Sequence, residues 1–592
     1  MRLATNSPGI LVIALALIPA VTQGYAALNQ ARLDDFVTNE LTVSPGGTQL
    51  PPLRPNSDNT DHDSVVAARS ALLDPLADLR HALEVLQTTW FKLWVGAWPT
   101  AIDWTSAVVN THLLATLSTL SKSLPATGDL AGDEAAANAV ENELNLYFAQ
   151  STAYYFGENA FAIRNEAYDD MLWVVLGWLQ GIHLISSHSK RHCSSSSSPC
   201  EPWHGVQYTA AFAHRARVFY EIANKGWDTK LCGGGMTWNP SLEPYKNAIT
   251  NQLYIAASVG MYLDFPGDEI DSPFMQQSER SVVLKPVVRH DTKYLQAAIE
   301  GYDWLKHSNM TNKQGLYVDG FHITGYKFGH NDNLGTKRCD DRNEMVFTYN
   351  QGVLLSGLRG LWEATGNRSY LDDGHELAQN VIAATGWRPE DSTPRQNSAW
   401  SGLGRNGVLE ELCDASGYCS QDGHTFKGIF FHHLTLFCEP LPRQSSVPGF
   451  TDIDTQLLSL HRDRCQGYAQ WVAHNARAAI GTRDEKGRFG GWWGPSANVK
   501  GSVELPDGAI DYRNNASNLR GAPWVVLQKP AINGMPDQEP MLVAPDLMLG
   551  LADTIAKAEG DLNDRGRGRT VETQSGGLAV LRALWEFQNI AT

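Results

Sequence analysis

The stretch Met171-Leu172-Trp173-Val174-Val175-Leu176-Gly177-Trp178-Leu179 contains no polar side chain. Wound into a helix it is apolar all round, so it requires burial on every side. A second kind of helix appears at Ser369-Tyr370-Leu371-Asp372-Asp373-Gly374-His375-Glu376-Leu377 and onward, where apolar residues fall on one face only. Only Gly366-Asn367-Arg368 separates that window (369–386) from the preceding helical window, 345–365, so the two are joined by a short turn. An all-round apolar helix followed by a one-faced helix reads as an inner and an outer layer built from hairpins. Working outward, helical periodicity predicts helices at 63–88, 105–124, 131–150, 166–187, 205–226, 244–264 and 292–308. It continues at 424–439, 451–482, 536–557 and 571–588, with strand alternation scarce throughout. About a dozen such helices in one chain predict an all-α protein, a two-layered (α/α) toroid forming a single large domain. The rival, an α-solenoid, needs a fixed repeat period, and none is found.

Composition agrees with a large folded core. Of 592 residues 43% are hydrophobic and 19% charged, unlike a disordered chain. The net charge of −17, with no Lys/Arg block, excludes nucleic acid as a partner. The 18 Trp lean toward a neutral sugar ligand.

The N-terminus reads as an export signal. Arg2 precedes an apolar run from Ile10 to Val21, with small residues at Gly24, Ala26 and Ala27. That run is shorter than the ~20 residues of a membrane span, and no other stretch qualifies. The expected organisation is a signal peptide at 1–24, an irregular Pro/Asn/Asp-rich arm at 25–62 and the barrel at 63–592. Arg582 and Glu586 interrupt the C-terminal apolar stretch, so no GPI-attachment tail is expected. Eight cysteines between Cys193 and Cys465 are expected to pair. Cys193–Cys200 and Cys413–Cys419 are the local candidates; the order among Cys232, Cys339, Cys438 and Cys465 stays open. No Cys/His spacing suits zinc, and neither metal nor cofactor is expected. Sequons at Asn309, Asn367 and Asn515 agree with export.

Four Asp-Asp dipeptides occur, at 34–35, 169–170, 340–341 and 372–373. Asp169-Asp170 differs from the others by abutting the most apolar helix of the chain. Adjacent carboxylates entering a buried helix are costly, so they are either a helix cap or a working pair. A buried pair splits its proton affinities, leaving one acid charged and the other protonated, which is the division that retaining glycosidases use. Two Gly/Trp segments also look cleft-like: Cys232-Gly233-Gly234-Gly235-Met236-Thr237-Trp238 and, more weakly, Arg488-Phe489-Gly490-Gly491-Trp492-Trp493-Gly494-Pro495. In the first, backbone could approach a ligand closely, with Trp238 as a sugar platform.

At these residues the chain resembles glycoside hydrolase family 76, the α-1,6-mannanase family, in its fungal branch. The resemblance rests on Asp169-Asp170-Met171-Leu172-Trp173, on Gly233-Gly234-Gly235-Met236-Thr237-Trp238 with Lys246-Asn247-Ala248-Ile249-Thr250-Asn251, and on Asp319-Gly320. It is carried further by Tyr349-Asn350-Gln351-Gly352, and by Glu410-Glu411 through Cys413, Cys419, Asp422-Gly423 and Phe426-Lys427-Gly428. The resemblance implies an (α/α)6 barrel and retaining action on α-1,6-linked mannose, with Asp169 as nucleophile and Asp170 as general acid/base. It further implies that Trp173, Trp238, Asn247, Asp319, Tyr349, Asn350, Asp422 and Lys427 contact the α-mannan or mannosylated glycan. The expected function is a secreted, monomeric endo-α-1,6-mannanase, with cell-wall association open. The alternatives are a transglycosylase acting on GPI or glycoprotein mannan, another toroidal polysaccharide enzyme, and a non-catalytic mannan-binding protein. Tyr168 and Met171 flank the pair where the fungal wall-transfer members carry Asn and Gln, which weighs against transfer.

Overall fold

The computed structural model describes residues 74–124, 134–193, 202–269, 287–327, 333–388, 399–442, 454–494, 503–514 and 561–590. The expected signal peptide, the arm, Cys200 with its bridge to Cys193, Asn515 and the helix at 536–557 lie outside them. Among the described residues twelve helices exceed fourteen residues. They are α1 (Pro75–Trp90), α2 (Asp103–Ser123), α3 (Glu134–Gly157), α4 (Tyr168–Cys193), α5 (Thr209–Ala223) and α6 (Ala248–Leu263). The second half comprises α7 (Thr292–His307), α8 (Tyr349–Thr365), α9 (Ser369–Ala384), α10 (Gln421–Cys438), α11 (Thr455–Ile480) and α12 (Val571–Asn589).

The even-numbered helices form the inner ring: α2 packs on α4, α4 on α6, α6 on α8, α8 on α10, α10 on α12, and α12 closes back on α2. The odd-numbered helices lie outside, α3 against α2, α5 against α4, α7 against α6, α9 against α8, and both α1 and α11 against α12. This is the (α/α)6 barrel. The two helix types in the sequence sort as their patterning requires. Nearly the whole of α2 is buried, and so is the 171–179 stretch of α4 apart from the half-buried Leu176, whereas α9 buries Leu371, Leu377, Ala378 and Val381 along one stripe. Each fully buried Leu or Val contributes about 1.5–3 kcal/mol relative to exposure.

Inner helices run parallel. At their N-terminal ends Thr105 Oγ1 donates to Glu572 (2.8 Å), joining α2 to α12, and Trp104 Nε1 donates to Asp422 (2.9 Å), joining α2 to α10. At the other end Lys122 of α2 meets Glu586 of α12 (3.0 Å) and Glu439 (2.9 Å). Six helix dipoles thus turn their positive ends toward one mouth of the barrel, which favours negative charge there. A small antiparallel sheet, β1 (Lys246–Asn247), β2 (Gly320–His322) and β3 (Asp341–Asn343) in the order β1-β2-β3, lies at this mouth.

Several helix boundaries shift from expectation for local reasons. Helix α6 starts at Ala248 rather than 244, because Lys246 and Asn247 pair with Phe321 and Gly320 and Asn247 then caps the helix. The window 205–226 is a 3₁₀ turn, α5 and a second 3₁₀ turn. The cysteines left open pair as Cys232–Cys339 and Cys438–Cys465, and Cys413–Cys419 forms the expected local bridge. No described helix is long and apolar enough to cross a membrane.

Candidate active site

Asp169 and Asp170 occupy the first turn of α4, at the mouth toward which the inner dipoles point. The helix begins where Tyr168 N–H bonds Trp238 O (2.8 Å), and Asp170 Oδ2 reaches back to accept from Ala167 N–H (3.1 Å). That is one half of a capping box, the first-turn carboxylate bonding the N–H of the residue ahead of the helix, so the capping alternative is realised in one oxygen of Asp170. Asp169, 3% exposed, is held differently. Its Oδ1 accepts from Asp170 N–H (3.2 Å) and its Oδ2 from Trp238 Nε1–H (3.2 Å), with Arg513 Nη2 3.8 Å away. Burial raises both carboxyls above the ordinary aspartate range. Asp169 is held back by Arg513 and its N–H donors, whereas Asp170 rises further because the charge of Asp169 stands beside it. The pair is therefore asymmetric: Asp169 loses its proton first.

The other expected site residues divide into two groups. Trp238, Asp319, Tyr349, Asn350 and Asp422 surround the pair. Asp319 accepts from Tyr245 Oη–H (2.7 Å) and Asn343 Nδ2 (3.3 Å), and the buried Asn350 side chain stands beside it. Tyr349 stacks face to face on Phe426 at 3.9 Å. Asp422 is fixed by Trp104, whose ring stacks on Trp173 one turn below Asp169 (5.9 Å). Trp238 is half-buried, donates to Asp169 and lies under the Arg513 guanidinium (5.6 Å), so it is engaged with the pair as well as with the mouth.

Two expected contacts are instead structural. Asn247 is buried, and its side-chain oxygen caps α6 by accepting from Thr250 N–H (3.3 Å). Lys427 is buried in an ion pair with Asp414 (2.5 Å) and lies 5.5 Å from the Trp493 ring, so it does not line the mouth. The Gly-rich loop is also corrected: a Cβ would lie 2.9 Å from the Trp304 ring on Gly234 and 2.6 Å from it on Gly235 (φ +85°), so these two glycines admit Trp304 rather than a ligand. The segment around Trp492-Trp493 is core, with Trp492 Nε1 donating to buried Glu410 (3.2 Å).

Burial behind the mouth has a measurable consequence. Desolvation pushes Glu411 up to about 8 and Glu410 up to about 7. Raised folded values mean that stability from the neutral forms is complete below the unfolded value, ~4.3, and is lost as pH rises through 7–8. Glu411→Gln is expected to raise Tm relative to wild type, by an amount that grows from pH 5 to pH 9. A Tm difference that is flat across that range contradicts the assignment.

Sequence reading missed Arg513, Tyr245, Asn343 and Trp104. Tyr245 adjoins the motif that starts at Lys246, and Trp104 the expected helix at 105–124, so aromatic residues just ahead of inner helices were the available signal. Arg513 lies in a stretch without periodicity, and nothing local marks it.

The fold and its mouth define a class, an (α/α)6 barrel with a buried acid pair where the inner helices begin. The sequence model of glycosyl hydrolase family 76 matches residues 284–499 of the chain. The acid pair and Arg513 lie outside the matched interval. The chain is 26% identical over 220 residues to mannan endo-1,6-alpha-mannosidase DFG5 of Saccharomyces cerevisiae, covering 36% of each chain. It is 25% identical over 234 residues to mannan endo-1,6-alpha-mannosidase DCW1 of Candida glabrata, covering 38% of this chain and 40% of that one. The matches thus span well under half the length of these relatives. Among solved structures, glycoside hydrolase family 76 (mannosidase) Bt3792 from Bacteroides thetaiotaomicron is 13% identical, covering 88% of this chain and 100% of that one, with a TM-score of 0.49.

Proposed function

We propose that this chain is a retaining glycoside hydrolase that cleaves internal α-1,6-mannosidic linkages. The observation that carries the proposal is the asymmetric pair: Asp169 surrounded by N–H donors and a guanidinium, Asp170 beside it with its proton affinity raised by burial and by that charge. The names of the fungal relatives support mannan as the substrate. In this reading Asp169 attacks the anomeric carbon while Asp170 delivers its proton to the departing O6, giving a covalent mannosyl-enzyme. Asp170, now ionised, takes a proton from water, which attacks the anomeric carbon and releases Asp169. Positive dipole ends at the mouth stabilise the ionised nucleophile. Asp422, half-buried at the mouth, supplies a hydrogen-bond partner for sugar hydroxyls, with Asp319 behind it. The three disulfides among the described residues support reading the chain as exported.

Digestion of linear α-1,6-mannan, with products sized over time and their anomers read by NMR, tests the proposal. Expected are oligosaccharides of falling length whose new reducing ends appear first as the α-anomer. Binding without cleavage, or β-anomers first, sinks it. Chain-lengthened products with an added mannosyl acceptor would show transfer instead of release to water.

A further inference from the structure

The segment 503–514 belongs to none of the twelve helices, yet it is tied down on both flanks. Ile510 N–H donates to Asn343 Oδ1 (2.8 Å) while Asn343 Nδ2 donates to Ile510 O (3.0 Å), and Glu344 N–H donates to Gly508 O (3.0 Å). Past the turn, Asp511 Oδ1 accepts from the N–H groups of Arg513 (3.1 Å) and Asn514 (2.9 Å). Asn514 Oδ1 in turn accepts from Ser420 N–H (2.7 Å), and Ser420 is the cap of α10. The segment is thus stapled from β3 to the start of α10, and it delivers Arg513 into the mouth.

There the guanidinium meets groups from separate elements. It lies 3.8 Å from Asp169 Oδ2 and 5.6 Å from the Trp238 ring centre, and it faces Asp319, Asp422 and Tyr349. The two neighbouring lysines are committed elsewhere, Lys246 to the carbonyls of Asp228 and Gly235 and Lys427 to Asp414. From these contacts we propose that Arg513 is a positioning residue: it orients the Asp169 carboxylate and balances the charge of the carboxylates gathered at the mouth, without itself reacting. Around Asp169 the other groups are Asp170 and Glu166 near its own helix start, the Trp238 N–H and Tyr349 of α8. None of these brings a second positive charge. The carboxyls of Asp169, Asp170 and Asp319 are all raised by burial, and Arg513 opposes the rise in each.

The inference rests on the hydrolase reading only in part, so its test has two arms. In the first, kcat/KM on α-1,6-mannan is followed against pH. Arg513→Gln should move the acid limb upward by about one pH unit or more, since Asp169 then holds its proton longer; Arg513→Lys, which keeps the charge, should restore most of that shift. In the second arm no activity is needed. Tm is measured for wild type, Arg513→Gln, Asp169→Asn and the double variant, at pH 8 and at pH 4.5. Arg513→Gln should cost more in the wild-type background than in Asp169→Asn at pH 8, and the excess should shrink at pH 4.5. An unmoved acid limb together with no coupling at either pH overturns the proposal. If the wild-type protein leaves mannan uncut, the hydrolase reading falls, while the stability cycle still decides the role of Arg513.

Discussion

Asp169→Asn is expected to lower kcat on linear α-1,6-mannan by at least about 1,000-fold, or ~4 kcal/mol of barrier, because no covalent intermediate forms without the carboxylate. Asp170→Asn should be comparably slow on mannan but far less impaired on an aryl mannoside, whose leaving group departs without a proton. Azide, which needs no base, should then speed release of the mannosyl-enzyme in that variant. The pH profile follows from the same asymmetry. Activity needs Asp169 ionised, so it falls as pH drops through the Asp169 value, which burial lifts above the ordinary ~3.9. It also needs Asp170 protonated, so it falls again as pH rises through the higher value of that residue. The alkaline limb should vanish in Asp170→Asn. Neither variant should unfold the protein. A buried acid with a raised pKa loses stability as pH rises, so at pH 7 Asp170→Asn should melt at or above wild type. Wild-type rates on mannan in either variant would remove the pair from the mechanism.

Why the pair was legible and Arg513 was not comes down to where each gets its environment. Asp169-Asp170 is conspicuous because the next nine residues are uniformly apolar, and a helix of that kind can only be an inner one. The contradiction between two charges and that burial is visible along the chain. The barrel was legible for the same reason: α9 and α4 differ in how many faces they bury, and the difference is written in their patterning. Side-chain direction was not. Lys427 and Asp422 are five residues apart on α10, yet Asp422 faces the mouth while Lys427 turns back to Asp414. Asn247 carries an oxygen suited to a sugar hydroxyl, and the start of α6 uses it as a cap. The work of Arg513 depends on partners hundreds of residues earlier, Asp169 and Trp238, brought to it by Asn343 and Ser420. Its own neighbours in sequence carry no trace of them.

The closure of the inner ring leads to the second large expected effect. Gly352 lies one turn into α8, where a Cβ would come within 2.6 Å of the Phe430 Cα and 3.2 Å of its N, both backbone atoms of α10. A flexible side chain could move aside; the axis of a buried helix cannot move without disturbing α12 and α6 on its flanks. Gly352→Val adds two further methyl groups to that contact, so α8 and α10 must separate. Overpacking alone costs about 1–3 kcal/mol, and forcing two buried helices apart adds exposed core, for a total on the order of 4 kcal/mol or more. Against a typical total stability of ~5–15 kcal/mol, the variant should lose at least about 10 °C in Tm or fail to accumulate as folded protein. Gly467 is the control. It too lies within a helix, α11, but a Cβ there meets nothing within 4 Å. Gly467→Ala should therefore stabilise by about 0.5–1 kcal/mol through the lower backbone entropy of its unfolded chain. If Gly352→Val melts with wild type, the close approach of α8 and α10 is wrong, and with it the ring that gathers Tyr349, Asn350 and Asp422 around the acid pair.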